Sequence, residues 1–167
     1  MEMHEMLRKV PLFSELDDAE LRAVASLASS IDIRKKSTVV QEHDPGDSLF
    51  VILDGEVKIS TYSSEGREVV LALLGKGSFF GEMSLLDEEP RSANVTTMED
   101  SKFANIRRRD LVPLMMEQPA IALKLLSEIA SRLRKTSRVL ERISSMDVPH
   151  PLLLSGGSLS SLRPPRQ

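Results

Sequence analysis

The segment Phe79–Val95, FFGEMSLLDEEPRSANV, carries the side chains in this chain that are best suited to bind an anion. It holds a Gly-Glu pair, Gly81 and Glu82, ahead of a short apolar turn, and further on an Arg-Ser pair, Arg91 and Ser92. A glycine that leads from a strand into a helical turn brings backbone N–H groups close to a ligand, and such groups attract anions. The planar guanidinium of Arg91 matches two phosphate oxygens, and Ser92 adds a hydroxyl donor. The segment therefore predicts a phosphate site.

Glu82 extends this prediction beyond the phosphate. A carboxylate repels phosphate but accepts a hydrogen bond from a sugar hydroxyl, so an anion with an attached ribose fits better than bare phosphate. The residues alone leave a second interpretation open, in which Arg91 and Glu82 form a structural ion pair and Gly81 only turns the chain. Neither a GxGxxG pattern nor a GKS/GKT triplet is present, which excludes the Rossmann and P-loop types of nucleotide site.

The composition excludes several other kinds of site. The 167 residues include no cysteine, which removes disulfides and thiolate chemistry and fits a reducing compartment. The histidines, His4, His43 and His150, lie far apart, so we expect no metal site. The apolar runs are too short to span a membrane and the charged N-terminus is no secretion signal, so we expect a cytoplasmic protein. With a net charge of −3, nucleic-acid binding would need a separate basic element.

The chain that must hold this site divides into four segments. Residues 1–30 predict an N-terminal helical segment, in which Asp17 and Glu20 have the spacing of a capping box. Residues 31–106 alternate β-rich runs with glycine-containing turns such as Asp44–Asp47. This pattern predicts a mainly β core with flanking helices, closed as an antiparallel β jelly roll, also called a double-stranded β-helix. The expected strands are Thr38–Val40, Leu49–Leu53, Glu56–Tyr62, Val69–Leu74, Ala93–Thr97 and Lys102–Ile106.

Residues 107–147 return to a helical pattern. A short helix is predicted over Asp110–Glu117, and a long helix from Ala120 to Met146. Apolar residues of the long helix recur in steps of four and three, the seam of a coiled coil, which predicts a homodimer through residues 120–146. The alternative is a helix that packs only on its own β core. The seam consists of Ala122, Leu126, Ile129, Leu133, Thr136, Leu140 and Ile143.

Thr136 is the polar exception on this seam. Its hydroxyl either bonds the carbonyl one turn earlier or meets a polar ligand that lies against the seam, with Ser137 beside it. After the helix, residues 148–167 are rich in proline, serine and glycine, and we expect them to form a disordered tail.

Three stretches of the sequence resemble one family. FGEMSLLDEEPRSANV resembles the phosphate-binding cassette of cyclic nucleotide-binding domains, found in the Crp/Fnr (catabolite activator) transcription regulators and in kinase regulatory subunits. PGDSLFVILDGEVKI resembles the strand–turn–strand that leads into the cassette, and RLRKTSRVLERISSMDV resembles the long helix of the catabolite activator, including its Thr-Ser pair. The resemblance extends over residues 10–147.

The resemblance implies a dimeric sensor without catalytic residues, metal or cofactor, whose ligand is a cyclic nucleotide. The serine of the cassette and the Thr-Ser pair favour cAMP over cGMP. One purine contact would come from the partner subunit. The resemblance assigns the cyclic phosphate to Gly81, Met83, Ser84, Arg91 and Ser92, the ribose to Glu82, and the purine to Leu71, Leu73, Arg132, Thr136 and Ser137.

The sequence departs from the regulators after Asp147. In Crp/Fnr regulators a winged helix-turn-helix domain follows the long helix, and the residues after Asp147 are too few to form one. We therefore expect DNA contact only through a domain absent from this chain. Two other functions remain open: a dimeric interaction protein whose pocket no longer binds a nucleotide, and a cupin-type metalloenzyme, which shares the jelly roll but needs clustered histidines and carboxylates.

Overall fold

Eight strands form the β core of the structure, a computed structural model that describes residues 1–87 and 89–146, with only the backbone described for residues 84–86, 136, 139–141 and 143–146. The strands are β1 (Ala28–Ile33), β2 (Thr38–Val40), β3 (Ser48–Asp54), β4 (Glu56–Tyr62), β5 (Glu68–Gly75), β6 (Phe79–Phe80), β7 (Asn94–Thr97) and β8 (Ser101–Arg107). They pair antiparallel in two four-stranded sheets, of order β1-β8-β3-β6 and β2-β7-β4-β5. The predicted mainly β fold with flanking helices is confirmed.

The helices lie at both ends of the β core in sequence, and one lies within it. They are α1 (Met3–Arg8), α2 (Asp18–Leu27), α3 (Glu82–Asp87), α4 (Arg108–Glu117) and α5 (Pro119–Met146), with a short 3₁₀ turn at Pro11–Phe13. The chain forms two compact units, and the division falls inside α5, between Leu125 and Leu126. The predicted disordered tail, residues 148–167, lies outside the described residues.

The helical prediction for residues 1–30 is wrong at its end. Leu27 is the last residue of α2, and β1 begins at Ala28. Ala28 continues the helical spacing of the apolar residues before it, which suggested a longer helix. Pairing along six consecutive residues with β8 outweighs that local preference.

Three phenylalanines of the first sheet form an aromatic cluster in the core. The rings of Phe50 and Phe80 stack with centroids 4.9 Å apart, and Phe103 meets both edge-on at 6.1 and 5.7 Å. Offset stacking and edge-to-face contacts are the favoured arrangements of aromatic rings. Together with Ile52, Val57 and Val95, these residues form the buried core of the roll.

The strand β3 is buried on both faces. Because Phe50 and Ile52 point into the roll, the alternating residues Leu49 and Val51 point to the opposite face, and they are fully buried there as well. Among the helices, α4 packs against the neighbouring strand β8, and α2 packs against α4. A strand buried on both faces has little freedom to shift.

The capping box at the start of α2 provides a test of the helical segment. Asp17 accepts a hydrogen bond from the N–H of Glu20 at 2.8 Å, and Glu20 accepts one from the N–H of Asp17 at 2.9 Å. Asp17→Ala is expected to lower the free energy of unfolding by about 1 kcal/mol, the usual effect of losing an N-cap. Urea denaturation measures this loss. Glu15→Ala, which removes an exposed carboxylate just before the cap, should leave the midpoint unchanged.

Candidate ligand-binding site

A glycine in a left-handed conformation connects β6 to α3. Gly81 has φ of +88°, which only glycine adopts at little cost. A methyl group at this position would lie 2.6 Å from Nη1 of Arg91 and 2.8 Å from the carbonyl oxygen of Ser48. The backbone therefore passes close against the arginine. Residues Glu82 to Ser84, predicted to present their N–H groups to an anion, form the first turn of α3.

The side chain of Arg91 is buried, with only 7% of its surface exposed. Its Nη1 donates to the carbonyl oxygen of Gly81 at 3.3 Å, and its Nη2 donates to the carbonyl oxygen of Ser48 at 3.2 Å. Its Cζ lies 5.8 Å from the centre of the Phe50 ring, within cation–π range. Arginine is rarely buried unless its charge is paired. Here its two hydrogen-bond acceptors are neutral carbonyl groups, which suits a site for an added anion.

Two carboxylates influence this buried cation. Burial lowers the pKa of Arg91, and the nearby carboxylates of Asp47 and then Glu82 oppose that shift. The guanidinium stays charged because arginine does not lose its proton in proteins. Both hydrogen bonds of Arg91 are longer than the usual 2.9–3.0 Å, so a charged acceptor would bind it more strongly than either carbonyl does. The ion-pair interpretation of Arg91 and Glu82 thus accounts for only part of the environment of Arg91.

The loop between β2 and β3 fixes the main chain of Arg91. The N–H of Arg91 donates to the carbonyl oxygen of Asp44, and the N–H of His43 donates to that of Arg91, both at 2.8 Å. Gly46 in the same loop lies against the arginine side chain, where a Cβ atom would collide with Nε. From the sequence this loop was predicted only as a turn. Its part in the site leaves little trace in the sequence, because atoms common to every residue make most of these contacts.

The other cassette residues lie close to Arg91 along the chain. Glu82 is half-buried, Met83 is 48% exposed and Ser92 is exposed. The side chain of Ser84 lies outside the part of the chain that the structure describes. The structure therefore brings Gly81 and Arg91 into direct contact and sets the carboxylate of Glu82 near the guanidinium. The phosphate and ribose assignments remain predictions.

The two leucines assigned to the purine lie on β5, at the edge of its sheet. Leu71 and Leu73 are 56% and 57% exposed. The register with β4 shifts between Ile59 and Ser60, which leaves Leu71 as the extra residue of a bulge. Leu73 pairs with Lys58 and therefore points away from the face on which the neighbouring Leu74 packs against the core. The assignment of Leu71 and Leu73 to the purine stays a prediction.

The remaining purine residues lie on α5, in the second compact unit. Arg132 is half-buried and Ser137 is exposed, while the side chain of Thr136 is not described. Arg132 and Thr136 are four residues apart, so they lie on one face of the helix. The purine contacts of these residues remain predictions.

Two general features concern the described residues alone. None of their helices is long and apolar enough to cross a membrane. Nor do three or more histidine or carboxylate side chains among them gather as they would to hold a metal ion.

A β roll with a buried arginine beside a tight glycine turn is the arrangement expected of a domain that binds a small anion. Residues 31–118 match the family of cyclic nucleotide-binding domains. The chain belongs to this family. The match includes the candidate anion site, from the β2–β3 loop to Arg91, together with α4.

Individual relatives resemble the chain over most of its length. The CRP-like cAMP-activated global transcriptional regulator of Mycobacterium tuberculosis is 32% identical over 147 residues, 88% of this chain and 66% of that protein. The crystal structure of the Thermus thermophilus catabolite activator protein superposes with a TM-score of 0.73 at 34% identity, covering 80% of this chain and 63% of that one. The N-terminal domain of a transcriptional regulator from Streptomyces coelicolor A3(2) has a TM-score of 0.64 at 37% identity and covers 81% and 94%. The chain thus spans slightly less than two thirds of the first two proteins.

Proposed function

We propose that this chain binds cAMP and acts as the sensor domain of a Crp/Fnr-type transcriptional regulator. The observation that carries the proposal is the buried guanidinium of Arg91, whose hydrogen-bond acceptors among the described residues are the neutral carbonyl groups of Gly81 and Ser48. A cyclic phosphate carries one negative charge, which a single arginine can balance. The names of the relatives support cAMP as the nucleotide.

In this proposal each part of the ligand has its own partners. The cyclic phosphate binds Arg91, Ser92 and the N–H groups at the start of α3, and the ribose 2′-hydroxyl donates to Glu82. The purine meets Leu71 at the β5 bulge and the polar residues of α5. These last are Arg132, Thr136 and Ser137. The chain performs no catalysis in this role and needs no cofactor besides its ligand.

A thermal-shift panel with cAMP, cGMP and 5′-AMP tests the proposal. A ligand at 100 times its Kd stabilises a protein by about 2.7 kcal/mol. For a chain of this size that corresponds to a rise in Tm of several degrees, at about 2–4 °C per kcal/mol. We expect the largest rise with cAMP and a smaller one with cGMP. No rise with either cyclic nucleotide would favour the interaction protein whose pocket has lost its ligand.

We further propose that α5 forms a homodimer with a second copy of the chain. Leu126 and Leu133, one heptad apart on the predicted seam, are 55% and 65% exposed. Exposed leucines at this spacing are typical of a helix that lacks its coiled-coil partner. Binding of the purine by Thr136 would then link occupancy of the site to the arrangement of the dimer helices.

Aspartates on the seam test the dimer. Leu126→Asp combined with Leu133→Asp is expected to convert a dimer into a monomer, because two charges per helix would be buried in the interface. Light scattering after size-exclusion chromatography measures the mass. Lys135→Asp places the same side chain off the seam on the same helix and should leave the dimer intact. A wild-type chain that is already monomeric at high concentration would contradict the proposal.

The relation to transcription regulators and the cytoplasmic location belong to the same proposal. A sequence without cysteine suits a reducing compartment. Because the chain spans only part of its relatives, what the sensor controls is proposed by analogy to proteins whose names state transcriptional regulation. We assign no DNA contact to the described residues.

A further inference from the structure

The inner face of β8 carries a polar residue beside the aromatic core. Phe103 is fully buried in the roll, and Asn105, two residues along the strand, lies on the same face. In the antiparallel register Asn105 pairs with Phe50, the ring that lies under the guanidinium of Arg91. A half-buried amide at a position that could hold an apolar side chain needs hydrogen-bond partners in the protein.

The amide of Asn105 finds its main partner in Ser48. Its Nδ2 donates to the Oγ of Ser48 at 2.8 Å and approaches the carbonyl oxygen of Leu49 at 3.5 Å. Ser48 is 6% exposed, and its own carbonyl oxygen accepts the hydrogen bond from Nη2 of Arg91. Ser48 is therefore held through its side chain by β8, and through its carbonyl group it holds the arginine.

We propose that Asn105 is a positioning residue for Arg91 and acts through Ser48. This inference rests on the proposed function, in which Arg91 binds the cyclic phosphate. A guanidinium forms two parallel bonds to a phosphate only when its plane is aligned with the phosphate oxygens. The 3.2 Å bond to Ser48 is one of two that set this plane, and a bond of that length is lost with a small movement of the carbonyl group. By fixing Ser48, Asn105 holds the guanidinium plane of Arg91 in the binding orientation before the ligand is present.

The first experiment reads the position of Arg91 in the ligand-free protein. In a ¹⁵N-labelled sample the Nε–Hε signal of Arg91 is assigned as the one that Arg91→Lys removes. A guanidinium held by two carbonyl groups should give a signal distinct from those of exposed arginines and slow to exchange with water. We expect Asn105→Ala and Ser48→Ala to move this signal towards the signals of the exposed arginines and to speed its exchange with water. Asn105→Thr, which suits a strand, repeats the test if the alanine variant is unstable.

The matched control is Ser101→Ala, on the same face of the same strand. Its hydroxyl is also buried, but it donates to the carbonyl oxygen of Glu99 and is not joined to Arg91 in the described contacts. This change removes a side-chain hydrogen bond at the other end of β8. We expect it to leave the Arg91 signal in place even if it lowers the Tm.

The second experiment measures the Kd of cAMP in a double-mutant cycle. Each of Asn105→Ala and Ser48→Ala should weaken binding about three- to tenfold, the effect of one neutral hydrogen bond. If Asn105 acts through Ser48, the affinity of the double variant for cAMP should equal that of the single variant with the lower affinity. Losses that multiply would overturn the route through Ser48, and an unmoved Arg91 signal in both Asn105 variants would overturn the positioning role. If the signal moves while the wild type binds no cyclic nucleotide, the proposed function fails and the positioning role stands.

Discussion

Replacing Arg91 with alanine is expected to weaken cAMP binding by about 2–5 kcal/mol, the range for removing one partner of a buried charge pair. This corresponds to a rise in Kd of about 30- to 4,000-fold. The phosphate would lose its only buried cationic partner among the described residues of the cassette. Titration calorimetry with cAMP measures the change. Arg91→Lys keeps the charge without the planar fork and should fall between the wild type and alanine.

The ligand-free stability of an Arg91 variant separates binding from folding. Arg91→Met fills a similar volume without a charge, beside the ring of Phe50. Because a buried cation with neutral acceptors is costly to desolvate, we expect this variant to unfold at the wild-type Tm or above it. It should nevertheless bind cAMP as weakly as the alanine variant. Near-wild-type affinity in either variant would contradict the assignment of Arg91 to the phosphate.

The sequence was sufficient to predict that Arg91 and Gly81 lie together, while their role in binding phosphate stays a prediction. Both are of residue types that a phosphate site requires, and both lie within one short segment. The acceptors of the arginine were not predictable in the same way. Ser48 lies 43 residues earlier in the chain, and the atom that it contributes is a main-chain carbonyl that any residue would supply. Only the pairing of β3 with its neighbours brings that carbonyl group to the guanidinium.

The strands of the fold likewise divide into those that the local sequence pattern predicts and those that depend on residues far apart in the chain. Six strands have β-rich runs bounded by turn residues, and the structure contains all of them. The strand β6 is two residues long, too short to form a pattern, and it exists because Phe79 and Phe80 pair with Val51 and Phe50. The order of the strands within each sheet likewise depends on packing between segments that are far apart in sequence. The role of Asn105 was not predicted, because the hydrogen-bond partners of an amide within a strand depend on which residues lie across the sheet.

Gly81→Ala is the second change from which we expect a large effect. The Cβ atom would need to share the space of Nη1 of Arg91 and the carbonyl oxygen of Ser48, at 2.6 and 2.8 Å. The arginine side chain is the more easily moved of the two. Moving the side chain would turn the guanidinium plane of Arg91 away from the phosphate. We therefore expect the affinity for cAMP to fall at least about tenfold, or 1.4 kcal/mol. The left-handed φ adds a cost in stability of about 1–2 kcal/mol.

Gly66→Ala is the control that isolates the steric part of this effect. Gly66 has φ of +83°, close to the +88° of Gly81, but a Cβ atom there would meet nothing within 4 Å. Both alanines should therefore lower the free energy of unfolding through backbone strain, and only Gly81→Ala should also weaken binding. Urea denaturation gives the first quantity and calorimetry with cAMP the second. Equal affinities in the two variants would mean that the close approach of Gly81 to Arg91 does not govern the site, because strain alone would then explain all that the substitution does.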